Sequence, residues 1–165
     1  MIILVFSDSH GSASEMNRII RRNKSANVIA FCGDGHGDIE KLQAQYPEKQ
    51  FYCVKGNCDW YCDFPSLLTV TLCGKKFVIT HGHCQYVKQG TDHLVSLGRQ
   101  ENADIILFGH THSQLTTVED GILLVNPGSV GYHSEYTTIE IDEKTGRITV
   151  REFPDEQYGP VIINK

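Results

Sequence analysis

The sequence predicts an α/β fold on three observations. Short runs rich in β-branched residues recur along the chain, helical periodicities separate the early ones, and turn dipeptides join the later ones into close pairs. IILVF (2–6) reads as the first strand. It leads to a helix over about 13–24, where Met16, Ile19 and Ile20 share one face and Ser12 or Ser14 serves as N-cap. VIAFC (28–32) is the second strand, followed by a helix over about 38–46 with Ile39, Leu42 and Tyr46 on one side. FYCV (51–54), LLTVTL (67–72) and KFVIT (76–80) are further strands, the last two joined as a hairpin through LCGKKF. Leu94, Val95 and Leu97 mark a third helix over about 91–101, before the strand DIILF (104–108). Strands alternating with helices imply βαβ units and a largely buried sheet. Beyond residue 114 the pattern turns antiparallel. LTTVEDGILLVN turns at Asp120-Gly121, TTIEIDEKTGRITVREF turns near Lys144–Gly146, and the tail after Pro154 lies at the surface or an edge.

No repeat, low-complexity run or linker interrupts this order, so residues 1–165 are read as a single domain. The formal net charge is −5 and no lysine/arginine stripe occurs, which argues against an extended nucleic-acid partner. No stretch approaches the roughly 18–20 apolar residues of a membrane span. MIILVF lacks the basic flank of a signal peptide. The six cysteines, at 32, 53, 58, 62, 73 and 84, form no CxxC pair. They are expected as reduced thiols in a cytoplasmic protein.

The polar residues that follow the strands carry the chemistry. Asp8-Ser9-His10-Gly11 follows the first, Gly33-Asp34 the second and Gly56-Asn57-Cys58-Asp59 the third. His81-Gly82-His83 follows KFVIT, and Gly109-His110-Thr111-His112 follows DIILF. Ligands bind outside the carboxyl ends of strands in an open α/β sheet, and those ends share one edge. These side chains can therefore converge from distant parts of the chain. Carboxylate, imidazole and amide donors suit Mn²⁺, Fe²⁺, Zn²⁺ or Ni²⁺ better than a cysteine-rich structural zinc site. Seven donors are too many for one catalytic ion and suit two that share a carboxylate. Each motif alone reads equally well as a turn with a surface histidine; five at once, each at a strand end, do not.

The series D-x-H, GD, GN-x-D, GH and GH-x-H, in this order over roughly residues 1–130, resembles the calcineurin-like metallophosphoesterase superfamily. The GNCD form and NPGS (126–129) are most similar to its small bacterial and archaeal phosphodiesterases. The resemblance implies a four-layer α/β/β/α sandwich and a binuclear centre. Asp8, His10, Asp34 and His112 would hold one ion, and Asp34, Asn57, His81 and His110 the other, with Asp34 bridging. Manganese is the first expectation, with iron, zinc or nickel as alternatives. The implied activity is hydrolysis of small phosphodiesters by a metal-bridging hydroxide, with Asp34, Asn57, Cys58, Asp59 and His83 at the catalytic site. Ser9 and the Gly33–Asp34 amides are expected to help orient phosphate.

Two departures stand out. Many members carry histidine after the GN, where this chain has Cys58, a feeble hydrogen-bond donor. Asp59, which would orient such a histidine, remains, and His83 or His36 is the alternative proton source. Cys58 either touches a metal or fills space. After Ser129, Gly131, Tyr132 and His133 stand where relatives commonly place an arginine. Asn126, Pro127 and Gly128 are expected to form a turn supporting the site, and His93 to be a surface residue. Trp60, Tyr61 and Phe64 would wall a pocket, pack internally or meet a second subunit in a homo-oligomer. A protein-assembly scaffold, as in the retromer subunit of this fold, and a repair-type nuclease are the rival functions. With no imidazolium at position 58, bis-p-nitrophenyl phosphate should be cleaved about a hundredfold or more better in kcat/KM than an alkyl monoester, the size of a general-acid contribution. Equal efficiency in a parallel assay would contradict this.

Overall fold

In a computed structural model, which describes residues 1–154 and 161–163, the chain forms eleven strands and four helices among those residues. Strand β1 (Ile2–Phe6) shows the governing pattern. Ile3 and Val5 point into one apolar cluster while Leu4 and Phe6 point into another, because alternate side chains of a strand leave by opposite faces. Helix α1 (Ala13–Arg22) buries Met16, Ile19 and Ile20 on the Leu4/Phe6 side. Ser12 is its N-cap residue, although its side chain caps no amide. Strand β2 (Val28–Phe31) pairs parallel to β1, and β3 (Gln50–Cys53) parallel to β2. Between them, helix α2 (His36–Gln45) covers the same face through Ile39 and Leu42. It begins two residues earlier than the apolar periodicity predicts.

A second sheet starts with the antiparallel pair β4 (Leu67–Leu72) and β5 (Lys75–Thr80). Helix α3 (Asp92–Glu101) returns the chain to β6 (Ile105–Leu107), which runs parallel to β5. Strands β7 (Gln114–Glu119) and β8 (Ile122–Pro127) form the hairpin around Asp120-Gly121, with β8 parallel to β6. The short helix α4 (Val130–His133) then leads back to the first sheet. There β9 (Tyr136–Ile141) pairs antiparallel with β1, β10 (Ile148–Phe153) antiparallel with β9, and β11 (Val161–Ile163) with β10 at the sheet's end. The expected edge position of the tail is met for 161–163; residues 155–160 and 164–165 lie outside the described residues.

Strand orders are β11-β10-β9-β1-β2-β3 and β4-β5-β6-β8-β7. Ile3, Val5, Phe77, Ile79, Leu107, Val125 and Ile139 fill the space between the sheets, and α3 covers the second sheet's outer face over Val78, Ile106 and Leu124. The result is the four-layer α/β/β/α sandwich. One expectation is refined. The motif-bearing strand ends do not belong to one parallel sheet: β1, β2 and β3 lie in the first, β5 and β6 in the second. They meet because the sheets pack face to face. No helix among the described residues is long and apolar enough to cross a membrane.

Leu107 is fully buried between the sheets, whereas Leu115 on β7 is 38% exposed. Leu107→Ala should lower unfolding stability by about 2–5 kcal/mol. Leu115→Ala should cost less than about 1 kcal/mol. Urea unfolding of both variants checks the contrast.

Candidate metal centre

The loop after β1 puts Asp8 in the centre of the cluster. Its side chain is fully buried, and Oδ2 accepts hydrogen bonds from Ser7 Oγ at 2.5 Å and the His110 amide at 3.1 Å. Oδ1 has no hydrogen-bond partner. It faces three imidazoles instead: His112 Nε2 at 3.0 Å, without the alignment of a hydrogen bond, His10 Nε2 at 3.9 Å and His81 Nε2 at 4.0 Å. A second carboxylate, Asp34, brings Oδ2 to 3.4 Å from His81 Nε2, while its Oδ1 accepts the Cys58 amide at 2.7 Å. Neither aspartate pairs with a lysine or arginine among the described residues.

Two triads of donor atoms result, Asp8–His10–His112 and Asp8–Asp34–His81, each with its atoms within 4.8 Å of one another. Asp8 belongs to both triads, and Asp34, the shared ligand that the resemblance implies, belongs to the second. The remaining predicted ligands sit beside the second triad. Asn57 Oδ1 is 3.1 Å from His81 Nε2, and the rings of His81 and His110 are centred 5.0 Å apart. The histidines of GHTH are thus split: His110 faces His81, and His112 faces His10 at 5.3 Å.

The ring of His81 is set by its other nitrogen. Nδ1 lies 2.7 Å from the Cys32 carbonyl, which can only accept, so Nδ1 carries the proton and Nε2 presents a lone pair in the neutral ring. That lone pair and the oxygens of Asn57 and Asp34 meet with no donor between them, a set that fits a cation. Without a cation the two carboxylates favour a proton on that nitrogen: burial opposes charging His81, yet the hydrogen bond to Asp34 and the charges of Asp8 and Asp34 raise its pKa, so a metal ion would take the place of that proton. Burial likewise works against ionised Asp34, but His81 and the Cys58 amide hold it well below the usual carboxylate range. Burial and the neighbouring His81 push His110 down to about 4, which keeps it neutral, the state a ligand requires.

Five of the eleven non-glycine residues of positive φ among the described residues belong to this cluster. Asp8, His10, Asp34, His110 and His112 all take positive φ, between 43° and 70°. Non-glycine residues adopt such angles rarely, and they cluster where the surroundings enforce them for function. The adjoining glycines give the side chains room. A Cβ on Gly56 would lie 2.0 Å from Asp34 Oδ1, and one on Gly109 would lie 1.9 Å from Ser7 Oγ.

Asp59 has a different role from the expected one. Its carboxylate accepts the amides of Asp34, Gly35, His36 and Gly56 at 2.8–2.9 Å, tying the loop after β2 to the loop after β3. It also meets His36 Nδ1 at 3.2 Å. It orients His36, and not residue 58. Ser9 Oγ is spent on Asp38 at 2.7 Å and the Asp34 amide on Asp59, so neither is free to orient phosphate. Cys58 is exposed; burial of the thiol and then Asp34 push its pKa up to about 11, so it stays protonated. His83 stands 5.4 Å from His81 with Nδ1 buried and unpartnered, and burial, then His81, lowers its pKa.

The NPGS segment supports the site as expected, although Asn126 and Pro127 end strand β8 and do not form a turn. Asn126 Nδ2 donates to the Gly109 carbonyl at 3.1 Å and to Thr111 Oγ1 at 3.0 Å, and Ser129 Oγ donates to the Asp8 carbonyl at 2.9 Å. His93 is exposed, as expected of a surface residue. Phe64 packs against the first sheet's outer core, whereas Trp60 and Tyr61 are exposed. Sequence reasoning missed Ser7, the Cys32 carbonyl and the stacking of Tyr132 on His112. Only Ser7, next to Asp8, gives a sequence signal. A cavity of about 260 Å³ opens beside the cluster, lined in part by His10, Asp34, His36, Lys41, Cys58 and Asp59.

The family described as the calcineurin-like phosphoesterase superfamily domain matches residues 1–144. The Bacillus subtilis protein named probable metallophosphoesterase YsnB is 36% identical over 132 residues, covering 79% of this chain and 75% of its own. Phosphodiesterase YfcE of Escherichia coli K12 is 29% identical over 153 residues, covering 79% of each. The structure of vacuolar protein sorting 29 from Cryptosporidium parvum superposes with a TM-score of 0.78 at 18% identity, covering 99% of this chain and 98% of that one, a likeness of fold alone.

Four amides on one carboxylate depress the Asp59 pKa despite burial, so ionised Asp59 stabilises the fold above its unfolded pKa of about 3.9. That stability is lost as pH falls toward the lower folded value. Asp59→Asn should cost about 2 kcal/mol or more at pH 7. Urea unfolding should show the gap to wild type narrowing below about pH 4; a gap that does not change with pH would contradict the assignment.

Proposed function

Because this chain belongs to the calcineurin-like phosphoesterase superfamily, we propose that it is a binuclear metal-dependent phosphodiesterase acting on small substrates. The family is one of hydrolases. The observation that carries the binuclear reading is Asp8 Oδ1, buried, unpaired and common to two triads of donors. Asp8, His10, Asp34 and His112 would hold one ion and Asp34, Asn57, His81 and His110 the other, with Asp34 shared. Manganese suits the carboxylate, amide and imidazole set, with iron, zinc or nickel as alternatives. Such ions, when bound, supply positive charge against phosphoryl oxygens and acidify water.

The chain's own residues do the rest. Asn57, as a neutral donor, leaves the centre more cationic than a further carboxylate would, which suits an anionic ester in an acidic protein. The Cys58 thiol, at about 11, is a poor proton donor, so the site favours leaving groups that depart unprotonated. His36 is the better placed of the two predicted proton sources. It lines the cavity, and Asp59 fixes its Nδ1, turning Nε2 toward other partners. The scaffold reading lacks a reason for the strain at five ligand positions. The nuclease reading lacks a basic surface. A single domain with six free cysteines supports a cytoplasmic setting, and exposed Trp60 and Tyr61 support contact between copies in a homo-oligomer.

Metal-stripped protein should be inactive on bis-p-nitrophenyl phosphate and regain activity with Mn²⁺. Asp34→Asn should lose more than about a hundredfold in kcat, beyond the 10–100-fold typical of groups that only support a ligand. His93→Ala should stay within about twofold. Comparable activity in the two variants would overturn the assignment.

A further inference from the structure

We propose that Tyr132 is a positioning residue for His10 and His112 and makes the two halves of the centre unequal in their hold on metal. The proposal rests on the binuclear reading above.

The two halves are oriented by different means. In one, His81 is wholly buried and its Nδ1–H is fixed on the Cys32 carbonyl. In the other, the side chains of His10 and His112 are 25% and 34% exposed. Among the described residues no hydrogen bond reaches the ring nitrogens of either. A ligating histidine ordinarily has its second nitrogen held by a hydrogen bond that sets the ring's orientation. Here a flat ring takes that place. Tyr132 stacks on His112, with centroids 5.1 Å apart and planes 28° apart, and meets His10 at 5.2 Å.

The tyrosine is itself carried on a locked element. The Gly131 amide donates to the Asp8 carbonyl at 3.1 Å, and Ser129 Oγ donates to the same carbonyl at 2.9 Å. The Tyr132 amide in turn donates to Ser129 Oγ at 3.2 Å. A Cβ on Gly131 would lie 2.4 Å from the Ser9 carbonyl oxygen, so α4 presses directly on the Asp8–His10 loop. The Tyr132 ring therefore moves with Asp8, the ligand that both histidines share. It holds the two imidazoles in the orientation their triad needs while leaving its own outer face in solvent, at 62% exposure.

The test is a Mn²⁺ titration of the metal-free full chain by calorimetry, with thermal unfolding of each metal-free variant as a folding check. Wild type should show two binding steps. Tyr132→Ala should weaken one step by about tenfold or more, the scale of a lost ligand-orienting contact, and leave the other within about twofold. Tyr132→Phe, which keeps the ring and loses only the hydroxyl, should retain both. Two steps at wild-type strength in Tyr132→Ala would overturn the proposal, as would equal weakening of both steps or a phenylalanine variant as weak as the alanine one. A wild-type protein with no second step would instead remove the binuclear premise.

Discussion

A buried carboxylate with one oxygen left unpaired is costly to fold around, and Asp8 is built that way. Its Oδ2 is satisfied by a serine hydroxyl and a backbone amide, while Oδ1 is kept for a space ringed by imidazoles. Removing an ionised carboxylate from water costs several kcal/mol unless an opposite charge compensates it. No lysine or arginine among the described residues does so. The neighbouring nitrogens are histidine Nε2 atoms, which serve as ligands only when they carry no proton. A divalent cation would resolve carboxylate and imidazoles together.

That arrangement reaches well beyond the donor atoms. Five ligand positions hold a left-handed backbone, and Gly56 and Gly109 leave space that a Cβ would fill with a clash. Asp59 clamps two site loops through their amides, and Asn126 and Ser129 anchor two more. The loops belong to two sheets whose shared core holds their ends at fixed separation. Local strain is thus borne by packing elsewhere, and the cluster is set in place before any ligand arrives.

Much of this was legible in the sequence. Strand and helix positions followed from side-chain period, and the motifs after the strands named every donor found in the two triads. What escaped has a physical reason. Period alone cannot say that β5 and β6 leave the sheet of β1 and β2, because both sheets are equally apolar. The Cys32 carbonyl that orients His81 is backbone and carries no residue signature. Asp59 looked like the partner of residue 58, since neighbours in sequence suggest neighbours in space; its carboxylate instead turns to the amides of a loop 23–25 residues away. Tyr132 showed only as a departure, because a stacking contact depends on how α4 docks. Asp8 belongs to both donor triads, a convergence of loops that spacing does not encode.

The central claim is that these loops seat two cations around buried aspartates. Anomalous diffraction from crystals soaked in Mn²⁺ addresses it directly. The account predicts two peaks about 3.5–4 Å apart, one beside His10 and His112 and one beside His81 and Asn57. A single peak, or none, at full soaking strength would contradict it.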